Sequence, residues 1–382
     1  MYNVKEKLII RIISRSLMVL VLLVPKTLLS QFSTPISLYQ QFNGQYGYTV
    51  IGNTHNAFDN WNPTPVPCQM LTSSSSTLNL LPNQNVVGAY LIWSGISDGS
   101  GTSVTLNGNL MTPDFVNSID INPPFAPLPY FSAFKNITSL VQTTGNGTYQ
   151  ITNFDLNPLL IQYCSNAIYY SGWNIIVVYS ETSLPNVQLN IYDGLEFLGY
   201  FPTFSISFPI SNLNITNTVN ATLSCLSWNG SPNLFFGESL AINGDTLSNS
   251  QNPANNPFNG TDSFTGSNTS WNRDVDLFDI NNSINIGDTS AIIDVNSLQI
   301  RFISNIITSI PSELPEATVA FNTITGQDSC QNRTLAIDFT VFNVNANDTL
   351  PSNTPVSFFV NDSVFVGTIN TPAEILIDDS LT

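Results

Sequence analysis

Val86-Val87-Gly88-Ala89-Tyr90-Leu91-Ile92-Trp93 and Trp173-Asn174-Ile175-Ile176-Val177-Val178-Tyr179 are short, near-continuous apolar runs rich in β-branched and aromatic side chains. Runs of this length, closed by Gly, Ser, Asn or Pro, read as strands buried on both faces. Val187 to Ile191 reads as a further strand. Helical periodicity is nearly missing from the chain. One short turn of helix is expected over Asn136 to Gln142, with Asn136 or Thr138 as its cap. The fold class is therefore all-β, built from tandem β-sandwich units of jelly-roll type.

Two hairpins support a duplicated unit. Val104-Thr105-Leu106-Asn107-Gly108-Asn109-Leu110 and Leu240-Ala241-Ile242-Asn243-Gly244-Asp245-Thr246-Leu247 each place Asn-Gly between alternating apolar residues. A type I′ turn needs positive φ at both central positions, which Asn-Gly supplies at low cost. Upstream, Trp93-Ser94-Gly95 resembles Trp228-Asn229-Gly230. The resulting division is a β-sandwich over 31–185, a second over 186–310, a Pro-containing linker over 311–316 and a partial immunoglobulin-like module over 317–382. A single larger jelly roll over 31–310 remains the alternative. In the last segment Leu335, Ile337, Phe339 and Val341 alternate with Ala336, Asp338 and Thr340. Only about half of an immunoglobulin-like sandwich follows Cys330, so the chain reads as a fragment of a longer product with an incompletely sheeted last module.

Residues 1–30 read as a signal peptide. Lys5, Lys7, Arg11 and Arg15 precede an apolar stretch, Leu17 to Val24, that is too short to span a bilayer. Removing it takes five basic residues, those four and Lys26, and one acid, Glu6. Lys135, Arg273, Arg301 and Arg333 remain against 25 acids, a formal charge of −21 where the full chain has −17. Such a charge repels phosphate backbones and anionic lipid heads, which excludes nucleic acid as a partner and membrane insertion after cleavage. A secreted, extracellular location follows, and in that oxidising compartment Cys68, Cys164 and Cys225 are the disulfide candidates, with Cys330 apart in the last module.

Gly88-Ala89-Tyr90-Leu91-Ile92-Trp93-Ser94-Gly95, Leu106-Asn107-Gly108, Gly145-Asn146-Gly147-Thr148-Tyr149, Gly172-Trp173 and Tyr192-Asp193-Gly194 together resemble large extracellular proteins of Bacteroidetes with a gliding-motility-associated C-terminal sorting domain. Leu350-Pro351-Ser352-Asn353-Thr354-Pro355 resembles the repeated immunoglobulin-like modules of such proteins. The resemblance implies type IX secretion and a role as a cell-surface adhesin or stalk, attached through a C-terminal region that this sequence lacks. It also implies O-glycosylation at Asp-Ser/Thr-apolar triplets, which makes Thr246, Thr349, Ser363 and Ser380 candidates. Local turn chemistry is the competing reading of those triplets.

Catalytic motifs are weak. Gly95-Ile96-Ser97-Asp98-Gly99 matches the G-x-S-x-G pattern, but a strand is expected after it where a nucleophile elbow needs a helix. His55, the single histidine, reads as a solvated loop residue. Asp193, Glu196 and Glu238 are acids near aromatic residues with no spacing that pairs them as glycosidase carboxylates. Calcium is the one cofactor suggested, because Asp274, Asp276 and Asp279 cluster in sequence and calcium prefers carboxylate oxygens.

Two functions of different class survive, with extracellular polysaccharide or protein as the partner. One is a non-catalytic secreted adhesin or stalk module of a larger cell-surface protein. The other is a glycan-binding module using Trp61 and Trp271, which lie in polar loops, whereas Trp93 and Trp173 read as core. A glycoside hydrolase-like enzyme comes third.

Overall fold

The computed structural model describes residues 33–97, 103–121, 128–164, 167–199, 203–313, 315, 317–329, 332–344, 346, 348–360 and 364–382. Residues 1–30, read from sequence as a signal peptide, Asp98 and Gly99 of the G-x-S-x-G motif, Cys330 and Ser363 lie outside the described residues. Among the described residues no helix is long and apolar enough to cross a membrane.

The first sandwich comprises β2 (Tyr46–Thr54), β3 (Ser74–Leu78), β4 (Asn85–Ile96), β5 (Val104–Leu106), β6 (Asn109–Met111), β7 (Phe115–Ile121), β8 (Leu128–Asn136), α1 (Thr138–Thr144), β9 (Gly147–Thr152) and β10 (Ser171–Ser180). The second comprises β11 (Val187–Leu198), β12 (Ser205–Ser211), β13 (Thr222–Trp228), β14 (Ser239–Ile242), β15 (Asp245–Thr246), β16 (Arg273–Asp279), β17 (Ser290–Asn296) and β18 (Arg301–Pro311). The sheets are ordered β2-β10-β4-β8-β7 and β3-β9-β5-β6 in the first, and β1-β11-β18-β13-β16 and β12-β17-β14-β15 in the second, where β1 is Thr34–Gly44. With β1 and β7 set aside, each sandwich pairs its first, eighth, third and sixth strands in one sheet and its second, seventh, fourth and fifth in the other. That is the arrangement of a jelly roll, present twice.

The four sheets stack as layers. Ile51, Leu91, Trp93, Ile175 and Val177 face Leu78, Val104, Leu106, Tyr149 and Ile151 inside the first roll. Leu223, Ile303, Ile306 and Ile310 face Ile210, Leu240, Ile242 and Ile293 inside the second. Between the rolls, Val50, Tyr90, Ile92, Ile176 and Val178 meet Leu189, Ile191, Leu226, Val275 and Ile307. The inner sheets are thus covered on both faces, which is why β4 and β10 are continuously apolar. The outer strands have one wet face and alternate, as β12 does in Ser205-Ile206-Ser207-Phe208-Pro209-Ile210-Ser211.

Both Asn-Gly hairpins form, with positive φ at Asn107, Gly108, Asn243 and Gly244. The helix starts at Thr138, whose backbone N–H donates to Asn136 Oδ1 at 3.0 Å. Three details depart from expectation. First, β1 does not join its sequence neighbour β2 but pairs antiparallel with β11, so the N-terminal strand extends the sheet of the second roll. Second, Pro311 is not linker but the last residue of β18, opposite Val187. Third, β4 and β13 are equivalent strands, yet Trp93 points into the first roll while Trp228 points into the seam between the rolls. The Trp and Asn-Gly matches differ by one residue in their offset, and a one-residue shift changes the face of a strand.

The C-terminal segment folds as β19 (Thr318–Ser329), β20 (Asn332–Asn343), β21 (Pro355–Val360), β22 (Val364–Asn370) and β23 (Asp379–Leu381) in two small sheets, β19-β20-β23 and β21-β22. Its core is modest, centred on Val341, Leu350, Val356 and Ile375.

Candidate functional site

The richest chemistry lies along the seam, where polar side chains tie the two rolls together around the apolar centre. Tyr48 and Ser224 hydroxyls lie 2.8 Å apart. Arg273 Nε donates to Asn174 Oδ1 at 2.8 Å, and its Nη1 pairs with Asp262 Oδ2 at 2.8 Å. Asn117 and Asn305, from different rolls, donate to the two oxygens of Asp193, each at 2.8 Å. Asp193 is therefore a structural acceptor whose burial pushes its carboxyl up to about 6. Close approach at the seam requires glycine: a Cβ at Gly52 would meet Trp173 O at 2.1 Å and Arg273 Nη2 at 2.8 Å.

At one end of the seam the loops of both rolls converge on Asp59, which is buried. Its Oδ2 accepts from Ser231 Oγ at 2.8 Å and Asn233 Nδ2 at 2.9 Å, and its Oδ1 from the Trp61 backbone N–H at 3.2 Å. Asn272 Oδ1 accepts from Asn56 Nδ2 and from the Asn60 backbone N–H, both at 3.2 Å. Thr54 Oγ1 donates to Trp271 O at 2.7 Å. The two loop tryptophans singled out from sequence are thus brought to one loop cluster, Trp61 from the first roll and Trp271 from the second. Trp61 is exposed and Trp271 half-buried. Trp93 and Trp173 are fully buried.

A second polar cluster is sealed inside the second roll. Arg301 donates to the carbonyls of Asn229, Ile300 and Leu234 and pairs with Glu238 Oε1 at 2.5 Å, with both side chains inaccessible to solvent. Burial nevertheless pushes the Glu238 carboxyl up to about 8, against the lowering effect of Arg301. Asp274 accepts from the Gly260 backbone N–H, and Asp276 from Thr261 Oγ1 and Ser263 Oγ, each at 3.0 Å. Burial raises both carboxyls, Asp276 further through repulsion by Asp274.

The calcium trio is not assembled. Asp274 and Asp276 face inward, but Asp279 is five residues from Asp274, on the other side of the strand, and is exposed, accepting from the backbone N–H of Asn281. Among the described residues no group of three His, Cys, Asp or Glu side chains is placed to hold a metal ion. Nor are the glycosidase candidates brought together: Asp193 and Glu196 sit at a bulge of β11, while Glu238 pairs with Arg301.

Cys68 and Cys164 form the disulfide, with Cα atoms 5.9 Å apart, and Cys225 is a free buried thiol opposite Asp276. Among the glycosylation candidates, Thr246 and Ser380 are exposed and Thr349 is half-buried. The Thr349 and Ser380 N–H groups donate to the preceding Asp348 and Asp379 carboxylates at 2.7 and 2.8 Å, the local bonding of turns.

His55 is not a solvated loop residue: it is fully buried, with Nδ1 3.3 Å from Ser171 Oγ and Nε2 3.2 Å from Ser74 Oγ. Burial lowers its pKa to about 4, so it is a neutral structural group. His55→Ala leaves both serine hydroxyls short of a partner and opens a void, and is expected to cost about 1–3 kcal/mol in a urea melt. A wild-type midpoint would contradict this placement.

Sequence reading missed Asp59, Asn272, Arg301 and the burial of His55. Key partners lie far along the chain, 67 residues for Arg301 and Leu234, 116 for His55 and Ser171 and 216 for Asn272 and Asn56, and single polar residues in loops carry no local signal of such pairing.

No protein-family model matches the chain, and no curated protein matches it. Among solved structures it overlaps BuGH86 in complex with neoagarooctaose at 11% identity, covering 72% of this chain and 33% of that one, with a TM-score of 0.21. This chain therefore spans about a third of that protein's length. A conserved protein of unknown function, PA5104 from Pseudomonas aeruginosa PAO1, overlaps at 7% identity over 71% of this chain and 99% of that one, with a TM-score of 0.24. The pilus backbone RrgB from Streptococcus pneumoniae overlaps at 6% identity over 86% and 59%, with a TM-score of 0.19. Overlaps this weak assign neither a family nor an activity.

Proposed function

We propose that this chain is a non-catalytic module of a secreted cell-surface adhesin or stalk. The observation that carries the proposal is the interior shared by the two rolls, apolar at its centre and tied by Asp193, Arg273 and Asp59. Strong titratable groups are committed to holding that block together, which suits a rigid spacer better than an enzyme. Export rests on the N-terminal segment read from the sequence. Protease shaving of intact source cells is expected to release the protein, and the purified chain is expected to leave a panel of polysaccharides uncleaved. Complete protection in intact cells, or turnover of any polysaccharide, would contradict the proposal.

A second reading, a glycan-binding module, is favoured by the meeting of Trp61 and Trp271 at the Asp59 loops. The two readings are compatible if the adhesive contact is made at that end of the seam.

A further inference from the structure

We propose that the loop end of the seam binds an uncharged polysaccharide and discriminates against sulfated and uronic-acid polymers. This rests on the glycan-binding reading and adds the chemical class of the ligand.

Four aromatic side chains stand in solvent on the loops fastened by Asp59: Phe58 is 44% exposed, Trp61 36%, Phe235 46% and Phe236 59%. Each is within three residues of Asp59 or of its hydrogen-bond partner Asn233. The Phe235 and Phe236 rings lie nearly parallel, with centroids 5.7 Å apart. Flat apolar rings on loops whose backbones are already fixed suit the C–H faces of pyranose rings, and fixing the loops beforehand lowers the entropic cost of binding. Their two-torsion side chains add contact area at small further cost.

Charge decides which sugars fit. An anionic polymer needs cations at its site, because the surrounding acidic field repels it. Arg273 and Arg301 are buried and occupied by Asp262 and Glu238. Lys135 is paired with Asp114 at 3.1 Å. All three of these cations are committed, and the remaining basic residue beyond position 32, Arg333, lies on β20 of the C-terminal segment and not on the Asp59 loops. Asp59 is itself only 2% exposed, so the carboxylate at the centre of the loops is not presented to a ligand either. The patch therefore offers ring faces without a charge partner.

The test uses the whole secreted chain in affinity electrophoresis against uncharged glucans, galactans, mannans and xylans, with dextran sulfate and alginate as the anionic arm. Dextran and dextran sulfate share a backbone, so that pair isolates charge. The expected result is retardation by at least one uncharged polymer, weakened about tenfold or more in both Trp61→Ala and Phe236→Ala, with melting temperatures unchanged and no retardation by dextran sulfate. Neither substitution removes a side chain from the Asp59 hydrogen bonds. Retardation by dextran sulfate or alginate that the same substitutions abolish would overturn the charge assignment and leave the glycan reading standing. No retardation by any polymer, or retardation indifferent to both substitutions, would overturn the glycan reading itself.

Discussion

Replacing Arg301 with methionine is expected to lower the unfolding free energy by about 3–5 kcal/mol, because it strips three buried carbonyls and the Glu238 carboxyl of their shared donor. Arg301 and Glu238 are both sealed from solvent, and the guanidinium also satisfies the carbonyls of Asn229, Ile300 and Leu234. Methionine fills much of the volume but donates to none of these acceptors. Glu238→Gln is expected to cost less, since Arg301 keeps its carbonyl partners and the charge deleted is the one that burial already disfavours. Urea unfolding of both variants measures the difference. A loss below about 1 kcal/mol for Arg301→Met would mean that water reaches this pair.

Stability is expected to peak at mildly acidic pH and to fall as the solution becomes alkaline. Burial raises Glu238 to about 8 and Asp193 to about 6, and it raises Asp274 and Asp276 as well. The unfolded chain gives up the same protons at ordinary carboxylate values near 4. Between about pH 4 and pH 8 the folded state therefore holds more protons than the unfolded one, and stability declines as pH rises through that window. His55 acts the other way: its folded value of about 4 lies below the ordinary imidazole value of 6.5, so its contribution is lost as pH falls from 6.5 toward 4. One histidine opposes five carboxyls, since burial raises Glu196 as well, and the carboxyls dominate. At about 1.4 kcal/mol per pH unit, Glu238 alone corresponds to roughly 4–5 kcal/mol between its two values. Thermal melts at pH 5, 7 and 9 and constant ionic strength are expected to show a midpoint falling by several degrees at each step. A midpoint that is flat or rises toward pH 9 would contradict the burial of these groups.

Local features were legible in the sequence and distant pairings were not. The apolar runs of β4 and β10, the two Asn-Gly turns and the short helix after Asn136 depend on neighbours within a few residues, although Ile137 takes the N-cap position without a side-chain bond. Their physics is written where they occur. The register of β1 on β11 depends on a strand more than a hundred residues away. The buried state of His55 depends on Ser171, which closes over it from β10. The calcium trio failed for a local reason that sequence could have supplied, because strand alternation separates Asp279 from the other two. Of the candidate site, the loop tryptophans were visible as aromatic residues in polar surroundings. The carboxylate that gathers them, Asp59, was not, since nothing around Ala57-Phe58-Asp59-Asn60 signals partners at Ser231, Asn233 and Asn272.

Two jelly rolls that share one interior should open as one body, and native-state hydrogen exchange reads this directly. The slowest amides of β4 and β10 in the first roll and of β13 and β18 in the second are predicted to exchange with the same opening free energy and the same denaturant dependence. If either roll exchanged through its own opening, several kcal/mol below the other, the seam would be a contact between independent domains and the rigid-block account would fail.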